Sequence, residues 1–241
     1  MDAIQSPRSI GLTGNALKII AMLAMLIDHT GLYLFPTVLI FRMIGRIAFP
    51  IFAYMIAEGC RYTRNRLRYL AGIAGLGVAC QAVVAVVTGT LHMGILITFS
   101  LSILTIYATD AFLAHKTLVR CLGMLSAILA ALFISVVMPH LLSGFKVDYD
   151  VFGVLLPILL YYTHGRIPKL VGATALLLFH ALLSNYVQLC ALFAIPLLFF
   201  YDGTRGRAHL KYLFYVFYPL HLAVIYLIKF IISAFSARFV P

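Results

Sequence analysis

Long apolar runs alternate with short polar punctuation from one end of the sequence to the other. Nine runs of about 15–22 residues, the length that crosses a bilayer core as helix, fall near 16–35, 38–60, 68–88, 94–113, 118–138, 149–163, 168–185, 187–201 and 213–233. They predict an all-α, polytopic transmembrane helix bundle of about nine spans, with eight or ten also compatible. The runs at 149–163 and 187–201 are the short ones, open to tilting, breakage or partial re-entry. No internal repeat, low-complexity tract or long linker interrupts the pattern, so residues 1–241 read as a single integral-membrane domain.

Cations between the runs orient the bundle. Arg8 and Lys18 flank the first run, and Arg61, Arg64, Arg66 and Arg68 follow the second. Lys116 and Arg120 follow the fourth, Arg166 and Lys169 the sixth, and Arg205, Arg207 and Lys211 the eighth. All fall on one side, which the positive-inside rule assigns to the cytoplasm, so the N-terminus is expected inside and the C-terminus outside. The opposite loops are nearly bare of cations: TGTLHMG (88–94) has none, and 139–150 has Lys146 beside Asp148 and Asp150.

Composition agrees, with 63% hydrophobic and 10% charged residues. An excess of 18 Lys and Arg over 7 Asp and Glu would suggest a nucleic-acid partner in a soluble chain; here it is accounted for by topology, and no nucleic acid is expected. The first run is too long for the apolar region of a cleaved signal and is expected to be a retained span. Cys60, Cys80, Cys121 and Cys190 are scattered, without a CxxC pair or a histidine at ligand spacing, so neither a metal site nor a disulfide framework is expected. No glycine-rich phosphate loop follows a predicted strand.

Ionisable groups inside the runs are the informative residues, because each costs several kcal/mol in lipid unless paired or hydrated. Asp28 and His29, in MLIDHTG (25–31), lie about 18 Å from the cytoplasmic end of the first run at 1.5 Å per residue. Arg46 lies at a similar depth in the second, and Arg42 one turn away shares its face, so an Asp28 pair with Arg46 or Arg42 is sterically reasonable. Pro50 removes the N–H that would bond the Arg46 carbonyl and predicts a kink there, while Gly45 admits a close neighbour. Successive helical residues diverge by about 100°, so Asp28 and His29 must face different partners. The last run repeats the oddity with His221 near mid-depth, Pro219 before it and tyrosines at 212, 215 and 218. Tyr212 reads as an interfacial anchor; Tyr218 and His221, one turn apart and deeper, read as site candidates. Lys229 is expected to snorkel and Glu58 to pair with Arg61. For all of these, a structural ion pair or an interhelical hydrogen bond is the plainer alternative.

LKIIAMLAMLIDHTGLYLFP (17–36), RMIGRIAFPIFAYMIAEG (42–59) with its arginine-rich sequel, and the terminal FYVFYPLHL (214–222) together resemble the TraX family, whose named member is a conjugative-pilin N-acetyltransferase. The match is strongest over the first 70 residues and the last 30, and no site residue is carried over to the middle. The resemblance implies an inner-membrane enzyme that moves an acetyl group from acetyl-CoA to an amine, in that member the amino terminus of a pilin. It is also similar to other multi-span acyltransferases that rely on a histidine in an early span, a role that falls here to His29.

The residues can be assigned to that chemistry. His29 is the expected general base or acyl carrier; Arg46 with Arg42 faces the carbonyl or a CoA phosphate; His221 relays a proton; Asp28 fixes an arginine or His221. Arg61, Arg64, Arg66 and Arg68 offer charge to the coenzyme, and Tyr218 a further contact. Buried Asp, His and Arg would equally suit a proton-coupled transporter, and the same residues could merely glue the helices of a non-enzymatic pilus or secretion assembly subunit.

Overall fold

The computed structural model describes residues 11–206 and 211–239, with the side chains at 211, 212 and 236–239 left aside. The expectations for Arg8, Arg207 and the side chains of Lys211 and Tyr212 lie outside the described residues.

Thr13 starts the first helix, α1 (Gly14–Tyr33), by accepting the Ala16 N–H through its hydroxyl at 3.2 Å. After it the chain forms α2 (Leu39–Gly45) and α3 (Ala48–Tyr62). Sequence predicted a kinked helix here, and the structure breaks it outright at Arg46–Ile47, because Pro50 has no N–H for the turn that would join the two pieces. Asn65 caps α4 (Arg66–Thr88), and Gly89, at φ 67°, ends it. Then come β1 (Leu91–Met93), α5 (Ile95–Ala114) and α6 (Leu118–Leu132), which runs through a π-helical turn into α7 (Met138–Leu141). β2 (Phe145–Val147), α8 (Asp150–Tyr162), α9 (Arg166–Leu183), a 3₁₀ stretch (Tyr186–Phe193) leading into α10 (Ala194–Phe199), and the 29-residue α11 (Lys211–Phe239) complete the chain.

Seven of the helical paths among the described residues are long and apolar enough to cross a membrane. Of the nine expected, the remaining two, at 149–163 and 187–201, are helical and apolar as well, but as α8 and as a 3₁₀–α10 composite they are shorter than these seven. Burial identifies the centre. Over the most apolar eighteen residues, 56% are buried in the α2–α3 path against 17% in α4 and in the α6–α7 path, so α3 is wrapped and α4 and α6 show most of their side chains to the surroundings. The core around α3 includes Leu17, Phe49, Ile51, Phe99, Ile103, Leu156, Leu177 and Leu198, all essentially inaccessible. Leu, Val and Phe side chains on the outside, such as Leu118, Val119, Leu129 and Leu182, face outward, as lipid-contacting positions do.

Each end of the bundle is fastened differently. At the end carrying the arginine-rich loop, the 200–206 segment hydrogen-bonds the start of α1, with Leu12 N–H on the Phe200 carbonyl at 2.8 Å and Gly14 N–H on that of Thr204 at 2.7 Å. At the other end, β1 and β2 pair in parallel, setting Leu91, His92 and Met93 against Phe145, Lys146 and Val147. His92 Nε2 meets Asp148 Oδ1 at 2.9 Å just beyond the strands. Two loops more than fifty residues apart are thus tied together.

Close approach of α1 to α2 relies on absent side chains. A Cβ at Gly45 would collide with the Asp28 side chain, and one at Gly31 with that of Phe41. Gly45→Ala is therefore expected to destabilise the protein by about 1–3 kcal/mol, seen as a lower unfolding midpoint in detergent. Gly75→Ala, where a Cβ meets open space, should leave that midpoint unchanged or raise it; equal behaviour of the two variants would refute the packing argument.

The loop tie should also respond to pH. The hydrogen bond to Asp148 raises the His92 pKa, against the effect of burial. Burial works to raise that of Asp148, but the His92 bond and the charges of His92, His29 and Arg46 hold it below the usual carboxylate value. The histidine's contribution is complete below its unfolded pKa and lost as pH rises through its raised folded one. The aspartate's is complete above its unfolded value and lost as pH falls through its lowered one. Amide exchange at 91–93 and 145–147, corrected for intrinsic rates, should be slower at roughly pH 5–6.5 than at pH 9, and His92→Gln should remove the difference. Because the pair is partly exposed, the effect is of order 0.2–1 kcal/mol.

Candidate functional site

Asp28 is 8% and Arg46 7% exposed, so neither can be left unpaired at tolerable cost. The break in the second predicted span solves this by letting Arg42, in α2, and Arg46, just past its end, converge on one carboxylate. Arg46 Nη2 donates to both Asp28 oxygens at 2.6 and 2.7 Å, and Arg42 Nη1 to Oδ2 at 2.6 Å. Arg46 Nε donates back to the Arg42 carbonyl at 3.2 Å, fixing the guanidinium plane, which also sits 5.4 Å over the Tyr149 ring. Two cations on one anion leave one net positive charge in the cluster.

His29, one residue on, faces elsewhere: its Nδ1 lies 2.8 Å from His221 Nε2 on α11. The other nitrogen of His221, Nδ1, is 2.8 Å from the Phe217 carbonyl. A carbonyl can only accept, so His221 Nδ1 carries the hydrogen and, in the neutral ring, its Nε2 offers a lone pair. His29 Nδ1–H must then be the donor between the rings, which leaves the neutral His29 with its lone pair on Nε2. The chain of bonds from Phe217 thus selects the tautomer in which His29 presents a base. Stacking of His221 on Phe217, with centroids 4.8 Å apart, holds the relay in place.

Both assemblies border one cavity of about 420 Å³, the size range of small-molecule sites. Asp28, His29, Arg42, Arg46 and Tyr218 line it; His221 supports His29 from behind and is not itself a wall. Further polar wall residues come from the stretch of sequence to which no site residue was carried: Gln81 on α4, His92 in β1, and Asp148 and Tyr149 before α8. Tyr149 and Asp150 have φ of 59° and 47°, a left-handed conformation unfavourable for side-chain-bearing residues. Stacking of Tyr149 on Phe49, at a 3.9 Å centroid separation, sustains it and sets the ring against the cavity. One sequence signal could have found these residues: His92 and Asp148 are ionisable groups in loops nearly bare of Lys and Arg. Gln81 gave none, being one polar residue in an apolar helix.

Arg61, Arg64, Arg66 and Arg68 do not join this site. They follow α3, whose length from Arg46 to Arg61 amounts to roughly 22 Å of helix, and they lie at the opposite end of the bundle. Arg61 is 3.9 Å from Glu58 and donates to the Tyr161 carbonyl; Arg66 is 2.8 Å from Asp110 and over the Tyr107 ring. Arg64 and Arg68 are exposed. Lys229 is exposed too, but it sits 5.8 Å over Tyr33, a wall residue of the cavity. Among the described residues no group of three or more His, Cys, Asp or Glu could hold a metal ion.

Comparison with known proteins places this architecture. The probable fimbrial assembly protein FimC, serogroup H1, of Dichelobacter nodosus is 26% identical over 238 residues, covering 90% of this chain and 96% of that protein. Uncharacterized protein RP591 of Rickettsia prowazekii (strain Madrid E) is 58% identical over a 40-residue stretch, 17% of this chain and 16% of its own. No solved structure gives a significant match. The family profile described as TraX protein matches residues 13–229, nearly the whole chain, and the protein is therefore a member of the TraX family with a helical, membrane-type fold.

Proposed function

We propose that the protein is an inner-membrane acetyltransferase of about nine spans with its N-terminus in the cytoplasm, moving an acetyl group from acetyl-CoA to an amine, by family resemblance the amino terminus of a pilin-like protein. The observation that carries this reading is the joint placement of an oriented histidine base and a net-positive arginine cluster on the wall of one cavity.

Acyl transfer to an amine requires that nitrogen lose two protons in all. His29 Nε2 takes the first from the ammonium group, with His221 stabilising the resulting imidazolium orientation through the shared hydrogen bond. The freed lone pair attacks the thioester carbonyl carbon. Negative charge then gathers on the carbonyl oxygen, which Arg42, with 27% of its side chain exposed against 9% for Arg46, is placed to meet. Collapse breaks the C–S bond; the thiolate leaves with one proton as free thiol, and the other proton passes to solvent. Apolar walls from Phe49, Phe52 and Leu222 keep competing water low.

The distance between the exposed arginines and the cavity supports a transfer across the membrane. Arg64 and Arg68 would hold the coenzyme's phosphates at the cytoplasmic end, the thioester arm would reach inward, and the acceptor would enter from the opposite face.

The printed name of the Dichelobacter nodosus relative, a probable fimbrial assembly protein, favours a second reading in which the chain assists pilus or fimbrial assembly without chemistry. The two readings part on His29. Purified protein given labelled acetyl-CoA and a peptide with a free amino terminus should acetylate it, and His29→Ala should reduce the rate by about 10²–10⁴-fold when assayed well below its unfolding midpoint. Arg42→Gln, which leaves Asp28 still held by Arg46, should cost about 10²–10³-fold in kcat. Full activity in His29→Ala would eliminate the acyl-transfer mechanism, whereas normal pilus assembly by the same variant would favour the second reading. Arg64→Glu with Arg68→Glu should raise the KM for acetyl-CoA while leaving the acceptor KM in place.

A further inference from the structure

Two polar groups of the cavity wall have no task in the mechanism above. Gln81 Oε1 accepts the Gly94 N–H at 3.3 Å. Because a backbone N–H can only donate, this bond fixes which end of the amide is oxygen and so aims the Nε2 donor. That Nε2 is buried without an acceptor, although the residue lines the cavity. A buried donor lacking a partner is expensive to keep, and a guest bearing a carbonyl oxygen would relieve it.

Asp148 is the second. Of the two carboxylates on the wall, Asp28 is fully committed to its arginines. Asp148 gives Oδ1 to His92, and its Oδ2 has no hydrogen-bond partner among the described residues. Its backbone is pinned by donation to the Met93 carbonyl at 3.0 Å, one residue before the Gly94 that holds Gln81. Asp148 is therefore mounted on the tied loops and Gln81, from α4, is hydrogen-bonded to them, at the end of the bundle remote from the arginine-rich loop.

We propose that Asp148 and Gln81 are the acceptor-docking residues: Asp148 takes the ammonium group and Gln81 donates to the carbonyl oxygen three bonds from the amine nitrogen, as found in a peptide's first residue. This rests on the acyl-transfer reading. It assigns Arg42 and Arg46 to the thioester carbonyl and Asp148 to the amine, with the His29 base on the wall of the same cavity. A carboxylate that collects a protonated amine also raises its local concentration where the base can deprotonate it. Asp148 and Gln81 act here on substrate position, so their loss should appear in the acceptor KM more than in kcat.

Equilibrium binding separates this assignment from the chemistry. A fluorescent peptide with uncharged side chains and a free α-amino terminus, and its N-acetylated counterpart, are titrated against the purified full chain in detergent, without acetyl-CoA. Wild type should prefer the free terminus, and Asp148→Asn should lose that preference, weakening the free peptide about tenfold or more. His92→Gln, which breaks the same loop tie but keeps the carboxylate, should retain it. Gln81→Leu should weaken the free peptide several-fold and leave a simple alkylamine, which has no carbonyl, unaffected; should Asp148→Asn fail to fold, this comparison decides alone. The assignment is overturned if wild type shows no preference, if Asp148→Asn keeps it, if His92→Gln loses it equally, or if Gln81→Leu treats peptide and alkylamine alike. A protein that binds as described yet transfers no acetyl group would refute the acyl-transfer reading and leave the docking residues standing.

Discussion

The carboxylate of Asp28, held by Arg42 and Arg46 at 2.6–2.7 Å, is the interaction around which the rest of the bundle is arranged. Charges cannot be buried singly in an apolar medium. Satisfying this one requires α1 and α2 to touch, which requires Gly45; it requires two arginines on one face, which a helix supplies at a spacing of four; and it requires the second of them to turn inward, which the break before Pro50 permits. An apolar helix contact of the same volume would be no less stable. What the ion cluster adds is a fixed surplus of positive charge at a defined point of a cavity wall.

Loop residues of the same cavity complement it. Asp148 and His92 belong to loops, and loops alone position side chains poorly. Here the parallel β1–β2 pairing and the left-handed backbone at Tyr149 and Asp150 give the loops the definition of regular structure. A relay of two histidines, its direction set by one carbonyl, completes a site whose parts come from α1, α2, α4, α11 and the loop strands. These elements are distant in sequence and share little except the end of the bundle at which they meet.

Much of this was legible before any coordinates. Apolar run length located every helix to within a few residues, because a bilayer leaves the backbone no alternative to helix. Asp28, His29, Arg42, Arg46 and His221 stood out because ionisable residues inside apolar runs are improbable without a purpose. Two things were hidden. Length alone could not separate a crossing helix from the 13-residue α8 or the 3₁₀–α10 composite, since apolar sequence specifies burial and not the medium doing the burying. Gln81 was hidden as one polar residue in an apolar helix, and the convergence of Asp148 and His92, visible only as ionisable loop residues, depends on the strand pairing of two loops, a long-range contact with no periodic signature. The arginines at 61–68 were the converse case, conspicuous as charge but separated from the cavity by the length of α3.

The unequal lengths of the helices have a consequence for the lipid. α11, with 29 residues, extends for roughly 43 Å, well beyond a hydrocarbon layer of about 30 Å, whereas α8, with 13, reaches only some 20 Å. α8 is sheltered inside the bundle, with most of its residues buried or half-buried, whereas a helix as long as α11 fits the bilayer by tilting, kinking or locally thickening it. Since α11 carries His221, its lean governs how the two imidazoles meet, and the thickness of the host bilayer thereby becomes a variable in the geometry of the His29–His221 hydrogen bond.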